Sequence, residues 1–141
     1  MVRRTKDPWR IQFFQRAEGD DPKRSVPAMA YLDSVPPRVA AEIHAVLDAV
    51  AAAPPPSFSG GGKWEAMRDD MAGYFEVRVQ GGGMNYRLFC VLERDAEDLG
   101  GSSVVCIDGL AKQRRTAAHP RDYRRVTRFG AEFRKRRTVL E

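Results

Sequence analysis

The first half of the chain carries one strand-like pattern and two helical patterns. Trp9–Phe14 is short, aromatic-rich and partly alternating, which predicts a β-strand. Val26–Pro37 predicts a short helix, because Pro27 suits a first helical turn and Pro36–Pro37 stop the helix. Arg38–Ala53 predicts a longer amphipathic helix, since its apolar residues recur at helical spacing. That apolar stripe comprises Val39, Ile43, Val46, Leu47 and Val50.

The second half is dominated by strand patterns and ends in a helix. Met71–Gln80 and Met84–Glu93 flank Gly81–Gly83, so they predict a hairpin with a short glycine loop. Ser103–Ala111 predicts a third strand, and its high apolar content favours a central position in the sheet. The last helix is expected to begin near His119–Pro120. Its apolar seam, at steps of three and four residues, comprises Tyr123, Val126, Phe129 and Phe133.

This order of elements predicts one α+β domain spanning residues 1–141. We expect a small, mostly antiparallel, twisted sheet with the two N-terminal helices packed on one face and a basic C-terminal helix. A chain of this length can bury roughly two thirds of its unfolded surface, so it needs no disulfide or metal to fold. The terminal stretches 1–8 and 134–141 are expected to be flexible.

Charge is distributed unevenly along the chain. From Gly109 to the end there are 11 Lys and Arg against 3 Asp and Glu, whereas the first 108 residues hold 13 against 16. A basic excess confined to the last quarter suggests a polyanionic partner, usually nucleic acid. A solvated helix face or a basic tail would explain the same asymmetry.

Composition narrows the function classes. No apolar run approaches the ~18 residues of a membrane span, and no apolar stretch follows the basic N-terminus as in a secretory signal, so a cytoplasmic location is expected. Gly60–Gly62 are not followed by the lysine and hydroxyl residue of a phosphate-binding loop. Cys90 and Cys106 lie in separate apolar strands, so we expect two reduced, buried thiols and neither a metal nor a cofactor.

Strand alternation groups the charged residues of the three later strands. On each strand they fall opposite the apolar face that would meet the helices. An additional residue at a β-bulge would reverse part of this pattern. Alternation therefore predicts one open sheet face that carries Glu76, Arg78, Arg87, Asp108 and Lys112. The opposite face of the third strand is expected to carry Val105, Ile107 and Gly109.

Four sequence motifs in a fixed order resemble a known family. Gly73–Arg78 reads as Gly, two aromatics, Glu, any residue and Arg, and Tyr86–Leu88 follows as Tyr-Arg and an apolar residue. Gly109–Lys112 then leads into a basic loop that ends at Pro120. Together they resemble the HigB/RelE superfamily of type II toxins, especially its phage-derived HigB-like branch. Gln113 stands where many relatives carry a second lysine. The resemblance implies a RelE-like fold.

It also implies an activity and partners. Members of this family cut messenger RNA without a metal, commonly on the ribosome, and are neutralised by an antitoxin that is often a helix-turn-helix protein. The 2′-hydroxyl of one nucleotide attacks the neighbouring phosphate, so the site needs a base, an acid and cations. Translation inhibition would follow. No membrane and no small-molecule cofactor is implied.

We assign the catalytic roles as a hypothesis. Arg78 and Arg87 would hold the scissile phosphate, because the guanidinium fork matches phosphate oxygens in pairs. Lys112 would offset the developing charge or protonate the leaving oxygen. His119 is the side-chain type best suited to act as the base near neutral pH. The rival bases are Glu76, Asp108 and Tyr123. Ordinary cross-strand ion pairs and a helix cap at His119 are the structural alternatives.

A second set of cations is expected to contact the RNA backbone. These candidates are Lys63, Arg68, Arg114, Arg115, Arg121, Arg124 and Arg125. Trp64 is either a base-stacking residue or a core residue. Two other functions stay open: a non-catalytic RNA- or ribosome-binding module on the same scaffold, and a phage-derived interaction protein whose basic tail binds an acidic partner.

Overall fold

The structure, a computed structural model, describes residues 7–53, 60–117 and 119–141. Within these ranges the strands are β1 Arg10–Phe14, β2 Trp64–Ala66, β3 Tyr74–Gly81, β4 Met84–Glu93, β5 Ser103–Gln113 and β6 Val139–Leu140. The α-helices are α1 Pro27–Ser34, α2 Pro37–Ala52 and α3 Arg124–Arg136. Short 3₁₀ turns cover Gly60–Gly62, Asp69–Met71, Glu97–Leu99 and Pro120–Tyr123.

The strands form one sheet in the order β2-β3-β4-β5-β1-β6. The β1–β5 pair is parallel and the other pairs are antiparallel, so the predicted mostly antiparallel α+β sheet is confirmed. The predicted hairpin is also confirmed, since Gly81 of β3 pairs with Met84 of β4. Gly82 and Gly83 form its tip with φ of 55° and 77°, a left-handed backbone that favours glycine. As predicted, β5 lies inside the sheet.

Helices α1 and α2 pack on one face of the sheet. The apolar stripe of α2 meets alternate residues of β3 and β4, among them Val77 and Leu88, both fully buried. Trp64 belongs to this layer: it is buried and stacks on Phe75 with ring centroids 5.2 Å apart. The core interpretation of Trp64 is therefore correct and the base-stacking interpretation is wrong. This layer is a continuous apolar core.

Glycine allows close approach between α1 and β5. A Cβ atom at Gly109 would overlap the ring of Tyr31. With glycine there, the ring lies flat against the strand and the Tyr31 hydroxyl donates to the carbonyl oxygen of Leu110 at 3.0 Å. Burial raises the pKa of the Tyr31 hydroxyl well above its usual value, so the group stays a neutral donor.

Helix α3 packs on the opposite face of the sheet. Its residues Val126, Phe129 and Phe133 join a second apolar cluster with β-strand residues such as Phe14 and Phe89. The predicted apolar seam of the last helix is thus confirmed. A glycine again permits the contact, because a side chain at Gly130 would overlap the hydroxyl of Tyr74. Glycine destabilises a helix interior, but at this position it allows α3 to pack closely on the sheet.

Ion pairs fix α3 and the segment after it. Arg16 of the loop after β1 binds Glu132 at 2.9 Å, and Arg137 binds Asp98 at 2.6 Å. Residues 134–141, expected to be flexible, contain the last turn of α3 and strand β6, which pairs with β1. Of residues 1–8, also expected to be flexible, 1–6 lie outside the described residues, and Asp7 and Pro8 have no regular secondary structure.

A β-bulge in β5 changes the predicted alternation. The β4–β5 register runs from Phe89 opposite Asp108 to Cys90 opposite Cys106, which leaves Ile107 as the additional residue. Val105 and Ile107 therefore lie on the α3 face together with Asp108, whereas Gly109 faces α1. The expectation that Val105 and Ile107 lie opposite Asp108 is wrong, because strict alternation breaks at this point.

The two cysteines are buried and reduced, as predicted. Cys90 and Cys106 are cross-strand neighbours with their sulfur atoms 3.9 Å apart. Both are buried and act as small apolar side chains, and burial raises the pKa of the Cys90 thiol. Among the described helices, none combines the length and apolar content needed to cross a membrane. The described residues contain no group of three or more His, Cys, Asp or Glu placed to hold a metal.

Candidate active site

The candidate site lies on the α3 face of the sheet, beyond the N-terminal end of α3. Strand pairing places Arg78 directly opposite Arg87, and Asn85 directly opposite Lys112. The prediction that Arg78, Arg87 and Lys112 share one face is confirmed by this register. The bulge in β5 is essential to it, because strict alternation from Cys106 would turn Lys112 towards α1 and α2.

Carboxylates and guanidinium groups alternate across β2, β3 and β4. Glu65 of β2 lies opposite Glu76 of β3. Glu76 is two residues before Arg78, which lies opposite Arg87 of β4. Arg78 contacts Glu65 at 2.7 Å through Nη1 and Glu76 at 3.5 Å through Nε. Arg87 Nη1 lies 3.9 Å from Glu76 Oε2. Like charges directly opposite would repel, so the diagonal contacts stabilise this arrangement.

Glu76 is the buried centre of this charge cluster. Only 9% of its side chain is exposed, and its Oε2 atom is buried without a hydrogen bond from the described residues. Burial raises the pKa of Glu76, while Arg87 and then Arg78 act against that rise. A carboxylate held between two arginines orients both side chains.

Arg87 and Lys112 line one small pocket. The remaining residues around it are Asn85, Leu110 and Thr116. Arg87 donates through Nη1 to the hydroxyl oxygen of Tyr123 at 3.2 Å. The Tyr123 ring meets Phe89 edge to face with centroids 5.8 Å apart, which fixes its position over the sheet. The pocket therefore holds two cations, and the Tyr123 hydroxyl lies beside it through its contact with Arg87.

Lys112 is held by the turn that precedes α3. Its Nζ atom lies 2.6 Å from Asp122 Oδ2 and 3.5 Å from the carbonyl oxygen of Ala117. Asp122 Oδ2 also accepts a hydrogen bond from the backbone N–H of His119 at 2.7 Å. The hydrogen bond from Lys112 is the main reason that the pKa of Asp122 is lowered. About a quarter of the Lys112 side chain, 24%, is exposed towards solvent.

His119 caps this turn through its ring. The Nδ1 atom accepts from the backbone N–H of Arg121 at 3.1 Å, and together with the Asp122 contact it forms a capping box. The structure joins His119 to Lys112 through Asp122, and among the described residues no contact joins the His119 ring to Arg87 or Lys112. The cap interpretation of His119 is therefore confirmed by the geometry.

Asp108 does not belong to an open face. Its side chain is 1% exposed, and both carboxylate oxygens accept from Arg125, at 2.7 and 3.1 Å. The expectation that Asp108 projects from an open sheet face is wrong, because α3 covers that part of the sheet. Arg125, a candidate RNA contact, uses its guanidinium in this ion pair while 60% of its side chain stays exposed.

The other candidate RNA contacts fall into three places. Arg114 and Arg115 line a depression beside the hairpin tip, together with Gly82 and Gly83. Three further candidates are exposed at other places on the surface: Arg68, Arg121 and Arg124. Lys63 contacts Glu42 of α2 at 3.5 Å, and it lines a second depression together with Arg78 at the β2–β3 edge of the sheet. Neither Lys63 nor Arg78 lines the pocket of Arg87 and Lys112.

Several residues of this site are missing from the set derived from sequence. They are Glu65, Asn85, Thr116 and Asp122. Asn85 could have been found by alternation, because it lies two residues before Arg87 on the same face. Asp122 could have been found from its spacing of three residues after His119, which is the spacing of a capping box.

Comparisons with known proteins give a limited result. No family model and no curated protein matches the sequence. Among solved structures the chain is similar to the toxin–antitoxin complex RelBE2 from Mycobacterium tuberculosis, with 19% identity and a TM-score of 0.45. The similarity covers 77% of this chain and 94% of the other. At that identity and TM-score the likeness carries no conclusion about what this chain does.

Proposed function

We propose that this chain is the toxin of a type II toxin–antitoxin system and that it cuts messenger RNA without a metal. One observation carries the proposal: Arg87 and Lys112, on neighbouring strands, line a single pocket beside the hydroxyl of Tyr123. The ordered motifs at Gly73–Arg78, Tyr86–Leu88 and Gly109–Lys112 support the toxin assignment, because they resemble the HigB/RelE superfamily.

The proposed reaction is an internal transesterification. The 2′-oxygen of one ribose attacks the adjacent phosphorus, and the bond from phosphorus to the 5′-oxygen of the next nucleotide breaks. The proton of the 2′-hydroxyl goes to a base, and the departing 5′-oxygen receives a proton from an acid. The products are a 2′,3′-cyclic phosphate and a free 5′-hydroxyl. No oxidant, metal or additional substrate is needed.

The cations supply the electrostatic part of this reaction. Arg87 and Lys112 would hold the phosphate and offset the charge that develops in the transition state. Arg78 would add to the field from the neighbouring strand, with Glu76 orienting both guanidinium groups. Lys112 must exchange its contact with Asp122 for one with the phosphate, and in doing so it can donate a proton to the leaving oxygen.

Tyr123 is the proposed base, and His119 is a positioning residue. The Tyr123 hydroxyl oxygen accepts from Arg87, which holds that oxygen beside the pocket of Arg87 and Lys112. Asp108 is unsuited because Arg125 takes both its oxygens. His119 uses Nδ1 in the cap, and we propose that it acts through Asp122, whose carboxylate it helps to aim at Lys112.

Partners follow from the same proposal. The exposed cations Arg114 and Arg115, beside the hairpin tip, would contact flanking phosphates of a single-stranded message on the ribosome. Arg68, Arg121 and Arg124 are further surface contacts in this proposal, as is the exposed part of Arg125. The neutralising partner would be a helix-turn-helix antitoxin, and the proposed location is the cytoplasm.

The test is inducible expression with mapping of messenger RNA ends by primer extension. The wild-type chain is expected to arrest growth and to produce new 5′ ends within coding regions. Arg87→Ala and Lys112→Ala should relieve the arrest while the purified variants keep the circular dichroism spectrum of the wild type. Lys63→Ala is the matched control, since it removes a cation that pairs with Glu42 and does not line the pocket of Arg87 and Lys112. Full toxicity of both site variants would show that this pocket is not the active site.

One observation favours a second candidate function. Arg78 and Lys112 each have a carboxylate within 2.7 Å, which is typical of cations that stabilise structure. A non-catalytic RNA-binding module on the same scaffold would fit this feature. It predicts salt-sensitive binding of RNA to the purified chain with no cut products, and gel analysis of the bound RNA distinguishes it from the nuclease.

A further inference from the structure

We propose that Asn85 recognises the ribose 2′-hydroxyl and so selects RNA over DNA at the Arg87–Lys112 pocket. The inference rests on the proposed function, because it takes a nucleic acid as the ligand. It assigns to Asn85 a contact with the sugar, whereas Arg87 and Lys112 contact the phosphate. Asn85 is thus a specificity-determining residue rather than part of the charge machinery.

The position of Asn85 places it beside both cations. It is the second residue of β4, its cross-strand partner on β5 is Lys112, and Arg87 follows two residues later on the same face. All three residues line the same pocket. A phosphate held by Arg87 and Lys112 would therefore bring its own ribose within reach of the Asn85 amide.

The side-chain oxygen of Asn85 lacks a hydrogen-bond donor among the described residues. Its Oδ1 atom is buried and accepts no hydrogen bond from the described residues. A buried acceptor without a partner disfavours the folded state, and asparagine is itself depleted in strands. Since no described side chain fixes the amide, rotation about its last torsion can bring Oδ1 to the pocket. Within the described ranges, no side-chain hydrogen bond accounts for an asparagine at this strand position.

The chemistry of the missing donor points to ribose. A phosphate offers no donor at neutral pH, and deoxyribose in a DNA strand has none next to the phosphate. The 2′-hydroxyl of RNA is a donor adjacent to the phosphate and is the group by which proteins distinguish the two nucleic acids. In the bound substrate it would donate to Asn85 Oδ1, and its proton would pass to the base only as its oxygen attacks the phosphorus. Amino groups of the bases are also donors, but they lie farther from the phosphate that the two cations would hold.

Binding of uncleavable oligonucleotides distinguishes a hydrogen-bond donor on the sugar from one on the base. Three single-stranded oligomers of one mixed sequence would carry 2′-amino, 2′-fluoro or 2′-deoxy sugars, and none can be cut because none has a 2′-hydroxyl. Only the 2′-amino sugar donates a hydrogen bond at that position. Fluorescence anisotropy at low salt, with circular dichroism as the check of folding, gives the three affinities for wild type, Asn85→Leu and Asn85→Asp. Gln80→Leu is the matched control, because Gln80 pairs with Asn85 across the strands but does not line the pocket.

We expect the wild type to bind the 2′-amino oligomer about fivefold more tightly than the other two, the value of one ordinary hydrogen bond. Asn85→Leu should bind all three equally, Asn85→Asp should keep the ranking at lower affinity, and Gln80→Leu should behave as wild type. If the wild type and Asn85→Leu rank the oligomers alike, the inference is wrong while the proposed function stands. If the wild type binds none of them, nor the corresponding RNA, both are overturned.

Discussion

The two faces of the sheet differ in what they bury. The face under α1 and α2 is filled by apolar side chains and by Tyr31 and Trp64. The buried polar residues that the structure describes are Gln12, Glu76, Ser103 and Asp108, and the register of the strands, including the bulge in β5, puts all of them on the α3 face. Helix α3 covers only part of that face, and the charged cluster lies in the part beyond the N-terminal end of the helix. Both faces thus contain an apolar cluster, but the α3 face also contains the buried polar residues and the charged cluster.

Truncation in the α1–α2 layer should have the largest effect on stability. Leu47→Ala removes a fully buried side chain of α2 and is expected to lower the free energy of unfolding by about 2–5 kcal/mol through lost burial and the cavity left behind. Urea unfolding measures it. RNA cleavage by the remaining folded protein should be unchanged, and a loss of cleavage per folded molecule would contradict the division between the faces.

Removal of a site cation should show the reverse behaviour. Arg87→Ala is expected to reduce the rate of RNA cleavage by about 10²–10³-fold, the loss typical when one stabilising donor is removed from a charged transition state. Single-turnover assays with a labelled oligonucleotide measure it. The midpoint of urea unfolding should move much less than for Leu47→Ala. A stability loss as large as that of Leu47→Ala would mean that Arg87 is a structural residue.

Contact between α3 and the sheet can be tested at one atom. Gly130→Ala places a methyl group against the Tyr74 hydroxyl and is expected to cost about 1–3 kcal/mol of stability through overpacking. Tyr74→Phe removes that hydroxyl, so the double variant should recover part of the loss. Thermal unfolding of the four proteins gives the coupling. Strict additivity would show that the two residues do not interact.

The smallest expected effect concerns the pH dependence of stability. Burial raises the pKa of Glu76 above its ordinary value of 4.5, so the folded chain binds more protons than the unfolded chain between that value and the raised one. Stability from this group therefore falls as pH rises through that window. Glu76→Gln should remove the fall and be no less stable than wild type at pH 7. Glu18→Gln, at an exposed position of the loop after β1, is the control, and urea midpoints at pH 4 and 7 measure both.

The sequence predicted the elements better than their ends. Periodicity located α2, the hairpin and the seam of α3, because each depends on local repeats of apolar residues. It missed β6, since two residues carry no periodicity and pair only because α3 returns the chain to β1. Charge alone suggested a flexible tail there, and it could not show that Arg137 would meet Asp98.

The sequence predicted the cations of the candidate site, but it did not predict most of the polar residues that they contact. Arg78, Arg87 and Lys112 were identified by family motifs, and the register confirms their shared face. Partners such as Tyr123 for Arg87 depend on where α3 begins over the sheet. The roles proposed for these residues stay predictions until cleavage is measured. The burial of Asp108 could not be read from alternation, because it depends on how far α3 extends over β5.

The additional residue at Ile107 makes the spacing within β5 more critical than its composition. The later residues of β5, including Lys112, therefore point to the face opposite to the one that strict alternation from Cys106 would give them. Loops such as 94–102 can change in length without altering which way a strand side chain points. A single deletion between Cys106 and Asp108 would instead direct Lys112 towards the helices, so natural variants of this chain should keep that interval constant even where its residues differ.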